Sequence, residues 1–171
     1  MKSEFRIDRI AEGDWQRLRD LRLEMLADTP LAFLETLENA RREPEAEWRS
    51  RASRTQREGS LGLAAVDTST GAWLGTMSCY LDGHGDAMLV SVYVTPAWRG
   101  RARGLTDALL DQVEAWARAA VPEGNLRLHV HEDNPRARSF YTRRGYVETG
   151  ETIPYPLDHT QNEVEMVLAL R

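Results

Sequence analysis

The chain reads as an α/β protein built on a mixed sheet of seven strands. Three observations carry this reading. Hydrophobic patterns follow the order strand, two or three helices, three strands, helix, strand, helix, two strands. The strand–helix–strand passage over residues 88–130 predicts a right-handed crossover between parallel neighbours. The segment "AMLVSVYV" is apolar on both faces, as expected of a central strand covered on both sides.

Each element has its own local reason. "EFRIDRI" alternates Phe5, Ile7 and Arg9 against polar neighbours and reads as the first strand. Asp14 is placed to cap a helix carrying Trp15, Leu18, Leu21 and Met25 at helical spacing. "ADTP" ends that helix, "LAFLETLENARR" reads as helix or loop, and Pro44 starts a further helix through Trp48. "SLGLAAVD" and "AWLGTMSCYL" are strands joined by the turn-like "TSTGA", and "LDGHGD" is the next turn. The following helix presents Leu105, Leu109, Val113, Trp116 and Ala120 as one stripe. "VPEGN" breaks the chain before the strand "LRLHV". In "NPRARSFYTRRG" Asn134 suits an N-cap, Pro135 the first helical position and Gly145 the C-terminal cap. "YVETG" and "NEVEMVLAL" close the chain as strands. No repeat or linker divides it, so a single domain over residues 1–171 is expected.

Composition narrows the function classes. Hydrophobic residues make up 42% of the 171 and charged residues 29%, an ordinary globular balance. The net charge of −5 argues against nucleic acid as the main partner. The lone Cys79 permits no intrachain disulfide and no cysteine cluster for zinc, and its strand-like surroundings suit a small buried side chain. No apolar stretch approaches a membrane span, and "MKSEFRIDRIAEGD" contains no signal-peptide core, so a cytoplasmic protein is expected.

The most informative stretch is "VYVTPAWRGRARGL", where arginines and glycines stand just before a helix. A helix N-terminus leaves backbone N–H groups without partners and carries partial positive charge. A glycine-containing loop ahead of it can converge those donors on an anion. A solvated basic turn remains an alternative. The dinucleotide fingerprint fits poorly, and no Lys-Ser/Thr pair follows the glycine as a Walker A loop requires.

The stretch resembles the first motif of the GNAT family of N-acetyltransferases, an apolar strand followed by [QR]-x-x-G-x-[GA]. Arg99 takes its first position and Gly104 its last. Ala102 stands where the family has glycine; a positive φ there would strain alanine, whereas a negative φ leaves its N–H free to donate. "LRLHVHEDNPRARSFYTRRGYVETG" resembles the family's second motif, with Leu128, Val130, Asn134, Ala137, Phe140, Tyr141, Gly145 and Tyr146 in register.

The resemblance implies a largely antiparallel sheet, helices on both faces, and a splayed parallel pair at the cofactor cleft. It also implies acetyl transfer from acetyl-CoA to a primary amine, without a metal. The pyrophosphate would rest on Arg99, Gly100, Arg101, Ala102, Arg103, Gly104 and Leu105, mainly through backbone N–H groups. Val92 and Val94 would bind the pantetheine arm through their backbone, with the oxyanion contact at Val94. Asn134 and Tyr141 complete the cofactor set. Tyr141 is the implied general acid: a phenol of pKa about 10 stays protonated beside a thiol of about 8.5 and can donate to the leaving thiolate.

The general base stays open among His129, His131, Glu132, Tyr93 and Ser91, with His84 and His159 more distant and a water chain as alternative. The acceptor is a small-molecule amine or a peptide or protein amino group, not nucleic acid or membrane. Its pocket is expected from the N-terminal helices and "ETIPYPLDHT", regions that in the family also form dimer contacts. Acidic residues in "LDGHGD", in "HED" and around Asp158 suggest a cationic acceptor. The alternative function is a non-catalytic acyl-CoA-binding sensor or partner domain.

Overall fold

A computed structural model of the chain describes residues 4–171; of the expected domain, residues 1–3 lie outside the described part. The strands are β1 (Phe5–Arg9), β2 (Ser60–Asp67), β3 (Trp73–Leu81), β4 (Ala87–Val94), β5 (Asn125–His131), β6 (Val147–Tyr155) and β7 (Asp158–Ala169). The helices are α1 (Trp15–Asp28), α2 (Leu37–Arg42), α3 (Glu45–Arg54), α4 (Leu105–Ala120) and α5 (Pro135–Arg143). The strands form one sheet in the order β1-β2-β3-β4-β5-β7-β6, antiparallel except for the β4–β5 pair. The expected fold class is the observed one.

Two cores occupy the two faces of the sheet. Leu61, Leu63 and Ala65 of β2 face α4 and α5, while Ala64 and Val66 face α1, α2 and α3. This is the period-two alternation of a strand buried on both sides. Helix α4 buries Leu105, Leu109, Leu110, Val113, Glu114 and Ala117. The stripe therefore turns toward Leu110 and Ala117, leaving Trp116 half-buried and Ala120 exposed. Glu114 is tolerated there because Arg144, just past α5, reaches its carboxylate at 3.2 Å. Arg144 also contacts Asp107 (3.1 Å) and Asp111 (2.5 Å), tying α5 to α4.

Several local expectations change. Arg9 is exposed, so only Phe5 and Ile7 of β1 pack inward. Asp14 does not cap α1 with its side chain; its carboxylate accepts from the Ala11 N–H at 2.9 Å and closes the preceding turn. "ETIPYPLDHT" forms the tip of the β6–β7 hairpin, running from the second half of β6 through the turn into the first residues of β7. Cys79 is buried, and burial pushes its thiol up to about 12, leaving it inert as a nucleophile.

Candidate active site

The site begins where β4 and β5 separate. The two strands pair only at Ala87–Leu126 and Met88–Arg127. Their closed end is clamped by Asp86, which accepts from the Asn125 N–H (2.8 Å), the Asn125 side chain (3.0 Å) and Arg127 Nε (2.5 Å). Burial alone would raise the Asp86 carboxyl, but these donors outweigh it and hold the group below its ordinary range. Beyond Met88 the strands splay around a cavity of about 390 Å³. Val90, Ser91 and Val92 line one wall, Leu128 and His129 the other, and Asn134, just before α5, with Ala137 and Tyr141 of α5 completes the lining.

A bulge in β4 re-aims the backbone over this gap. Between paired positions, β3 advances from Thr76 to Ser78 while β4 advances from Val90 to Tyr93. The extra residue inverts the strand's phase. Ala87, Leu89, Val92 and Val94 all belong with the α4 face, whereas Tyr93 belongs with the opposite core. Ser91 takes a φ of 55°, the only positive φ among the described non-glycine residues. Such a conformation costs about 1–3 kcal/mol and persists where surrounding structure enforces it, often at functional sites. Downstream, the Thr95 N–H donates to Leu74 O on β3 at 2.8 Å. Strand alternation then turns the Val94 and Val92 N–H groups away from β3, and Val92 lines the gap.

The loop after β4 exposes a set of backbone donors. Gly100 (φ 99°) and Gly104 (φ 67°) adopt left-handed backbone that side-chain-bearing residues avoid. Ala102 does not, so the alanine is unstrained and its N–H is kept. The N–H groups of Gly100, Arg101, Ala102, Gly104 and Leu105 have no hydrogen-bond partner among the described residues, whereas Arg99 and Arg103 donate within the loop, to Pro96 O and Gly100 O. The Arg99 side chain is committed elsewhere: Nε donates to Val94 O at 2.7 Å, a terminal nitrogen pairs with Asp28, and the guanidinium lies 5.4 Å from the Tyr93 ring centre. Arg103 stacks 4.9 Å from the Trp98 ring centre and reaches Glu4 at 3.2 Å. The donors free for an anion are thus backbone groups rather than these two side chains.

Tyr141 is 5% exposed, with Phe140 and Tyr146 rings packed edge-on at 5.2 and 5.4 Å. Its hydroxyl makes no hydrogen bond among the described residues, although the residue lines the gap. Burial raises its pKa well above the ordinary phenol value, so the proton is retained throughout the accessible pH range. Asn134 does cap α5, its Oδ1 accepting from the Ala137 N–H at 3.2 Å, and it lines the gap as well.

The base candidates sort by geometry. Tyr93 lies in the opposite core, bonded to Glu24 and Asp28. Glu132 accepts from the Asn162 N–H at 2.8 Å. His131 is buried against Tyr155; its Nδ1 accepts from the Asp133 N–H (3.1 Å), which makes Nε2 the donor to Gln161 (2.8 Å). His84 and His159 are exposed and line neither cavity described here. Of these candidates Ser91, His129 and His131 line the gap, and the ring nitrogens of His131 are both engaged.

Two functional candidates escaped the sequence reading. Glu163 of β7 is 6% exposed and lines the gap, and its carboxyl has no hydrogen-bond partner among the described residues. Burial raises its carboxyl above the ordinary value, with His129 and His131 opposing the shift. Arg22 of α1 lines the gap and also a second cavity of about 1070 Å³ bounded by α1, α2, α3, β3 and β4. Arg22, Leu34, Tyr80, Val90 and Ser91 border both cavities, so the two meet at the bulge. The carboxylates expected to attract a cationic acceptor do not line either one. Asp82 and Asp158 accept from backbone N–H groups of their own turns, and Asp86 is the strand clamp.

Comparison with known proteins agrees with this layout. The chain is similar to an acetyltransferase of the GNAT family from Streptococcus pneumoniae (TM-score 0.79, 18% identity, 98% of this chain and 100% of that one). It is similar to a spermidine N-acetyltransferase from Vibrio cholerae in complex with CoA and spermine (TM-score 0.75, 16% identity, 99% and 97%). A third likeness is to a phosphinothricin acetyltransferase from Sinorhizobium meliloti in complex with acetyl-CoA (TM-score 0.77, 18% identity, 98% and 89%). No curated protein sequence matches. The profile of the acetyltransferase (GNAT) family matches residues 16–146, which include the splayed strands, the loop and α5. On that match the chain belongs to the acetyltransferase (GNAT) family and is an enzyme of the acetyltransferase class.

Proposed function

We propose that the protein transfers the acetyl group of acetyl-CoA to the primary amine of a small molecule. The observation that carries this reading is the meeting of two cavities at the strained Ser91: a narrow one between splayed strands and a wide one under the N-terminal helices. The unpaired N–H groups of Gly100, Arg101, Ala102, Gly104 and Leu105 suit the coenzyme's pyrophosphate, with those of Val92 and Val94 along its pantetheine arm. Bound acetyl-CoA supplies an activated acetyl thioester. The Val94 N–H stabilises the charge that develops on the acetyl oxygen. The acceptor enters by the larger cavity and its nitrogen lone pair attacks the carbonyl carbon. As the carbon–sulfur bond breaks, Tyr141 gives its proton to the leaving sulfur and recovers one from solvent. Glu163, a buried carboxylate without a hydrogen-bond partner, takes the proton that the amine nitrogen sheds.

Thiol release from acetyl-CoA across a panel of small amines tests this reading. Amine-dependent release is expected. Tight coenzyme binding with no release for any amine would instead favour a non-catalytic acyl-CoA-binding domain.

A further inference from the structure

Arg22 carries a charge that the protein only half answers. Its Nε donates to Glu35 Oε2 at 3.1 Å, and no other carboxylate lies within ion-pair distance among the described residues. Glu35 is itself shared: Arg51 takes Oε2 at 3.0 Å and Oε1 at 2.9 Å. Both terminal nitrogens of Arg22 lack a hydrogen-bond partner among the described residues, although the side chain is only 18% exposed. The Phe33 ring, with its centre 4.9 Å from the guanidinium carbon, fixes the plane of the group and shields one face. What remains is the Nη1–Nη2 edge, a fork that matches the two oxygens of a carboxylate. This edge belongs to a residue that borders both cavities where they meet. Glu163 lines the smaller of the two and forms no ion pair with Arg22. One cavity thus holds an under-compensated cation and a partnerless carboxyl group, a complement to a zwitterion.

We propose that Arg22 is the anchor for a carboxylate on the acceptor, so that the substrate is an amino acid or another small amino-carboxylate rather than a simple polyamine. The assignment rests on the acetyl-transfer reading above. The acceptor's carboxylate docks on the Nη1–Nη2 edge, and its amine is held toward Glu163 and the thioester. A cation lacking a carboxylate meets the Arg22 charge directly and is repelled.

The test compares α-amino acids with their primary carboxamides by thiol release at saturating acetyl-CoA. Wild-type protein is expected to favour each acid over its amide by about 10- to 100-fold in kcat/KM, the range for a hydrogen bond to a charged group. Arg22→Gln should abolish the preference, chiefly by raising KM for the acids. Arg22→Lys should keep part of it. The wild-type ratio needs no variant, so a folding defect in Arg22→Gln does not blunt the test. Equal rates for acids and amides overturn the assignment while leaving acetyl transfer intact. An Arg22→Gln variant with lowered kcat for both series and unchanged KM also overturns it, because Arg22 would then act on the reacting carbonyl. Failure of both series and of simple amines contradicts the acetyl-transfer reading itself.

Discussion

Met88 is the last residue of β4 to pair with β5, and its partner is Arg127. Everything the site offers follows from that boundary. Behind it, Asp86 binds the Arg127 guanidinium and two groups of Asn125; ahead of it, the backbone of β4 has no neighbour on the β5 side.

The clamp predicts an acid sensitivity. The Asp86 carboxyl is held below its ordinary value, so its stabilisation is present above about pH 4. It is lost as pH falls through the lowered folded value. Asp86→Ala should cost about 1–3 kcal/mol at pH 7, because it leaves partly buried Arg127 and Asn125 groups without their acceptor. Urea unfolding at pH 7 and pH 3 checks this: the wild type and variant should differ at pH 7 and converge toward pH 3.

Gly104 has nothing within 4 Å of where a Cβ would stand, yet its φ is 67°. Substitution therefore acts through backbone conformation rather than crowding. Gly104→Val should leave the protein folded and weaken coenzyme binding at least about tenfold, by turning loop N–H groups away from the pyrophosphate. Titration calorimetry with CoA reads the change; unchanged affinity would remove the loop from the site.

Tyr141→Phe deletes one oxygen that has no hydrogen-bond partner among the described residues. Thermal stability and coenzyme affinity should barely move, while kcat falls about 10²–10⁴-fold. Because burial raises the phenol's pKa, kcat of the wild type should show no alkaline decline from this residue. Full turnover in the variant would exclude Tyr141 from the chemistry.

Glu163→Gln separates function from stability. The folded carboxyl has a raised pKa, so its neutral form is favoured. Its contribution is intact below about pH 4 and is lost as pH rises through the folded value. The glutamine variant should therefore melt higher than wild type at pH 7, with the gain vanishing near pH 4, and should turn over more slowly. A variant that melts lower at pH 7 would contradict the assigned burial penalty.

The fold was legible because its signals are local and repeated. Alternation in β2, the Asn134–Pro135 start of α5 and the glycines of the loop each carry their own chemistry. Other features depend on contacts between distant segments. Nothing near Ser91 announces a bulge, since a serine replaces the glycine that a positive φ would suggest. Arg99 sits in an arginine-rich loop, and only the approach of Asp28 from α1 shows that its side chain is occupied. Arg22 is one of several arginines along α1, and Glu163 one of two glutamates alternating on β7; what singles each out is the shortage of partners around it. β6 and β7 extend beyond "YVETG" and "NEVEMVLAL" because Thr152, Ile153 and Pro154 pair with Val164, Glu163 and Asn162 across the hairpin, a contact between segments that local alternation does not display.

The central claim is that the gap beyond Met88 and the loop ahead of α4 hold one coenzyme molecule. Backbone amide resonances followed during titration with CoA test it most directly. The account predicts that the Val92, Val94, Gly100, Arg101, Ala102 and Gly104 N–H signals shift together with a single affinity. Shifts confined to the larger cavity around Trp48 and Arg51, with these six unmoved, would contradict it.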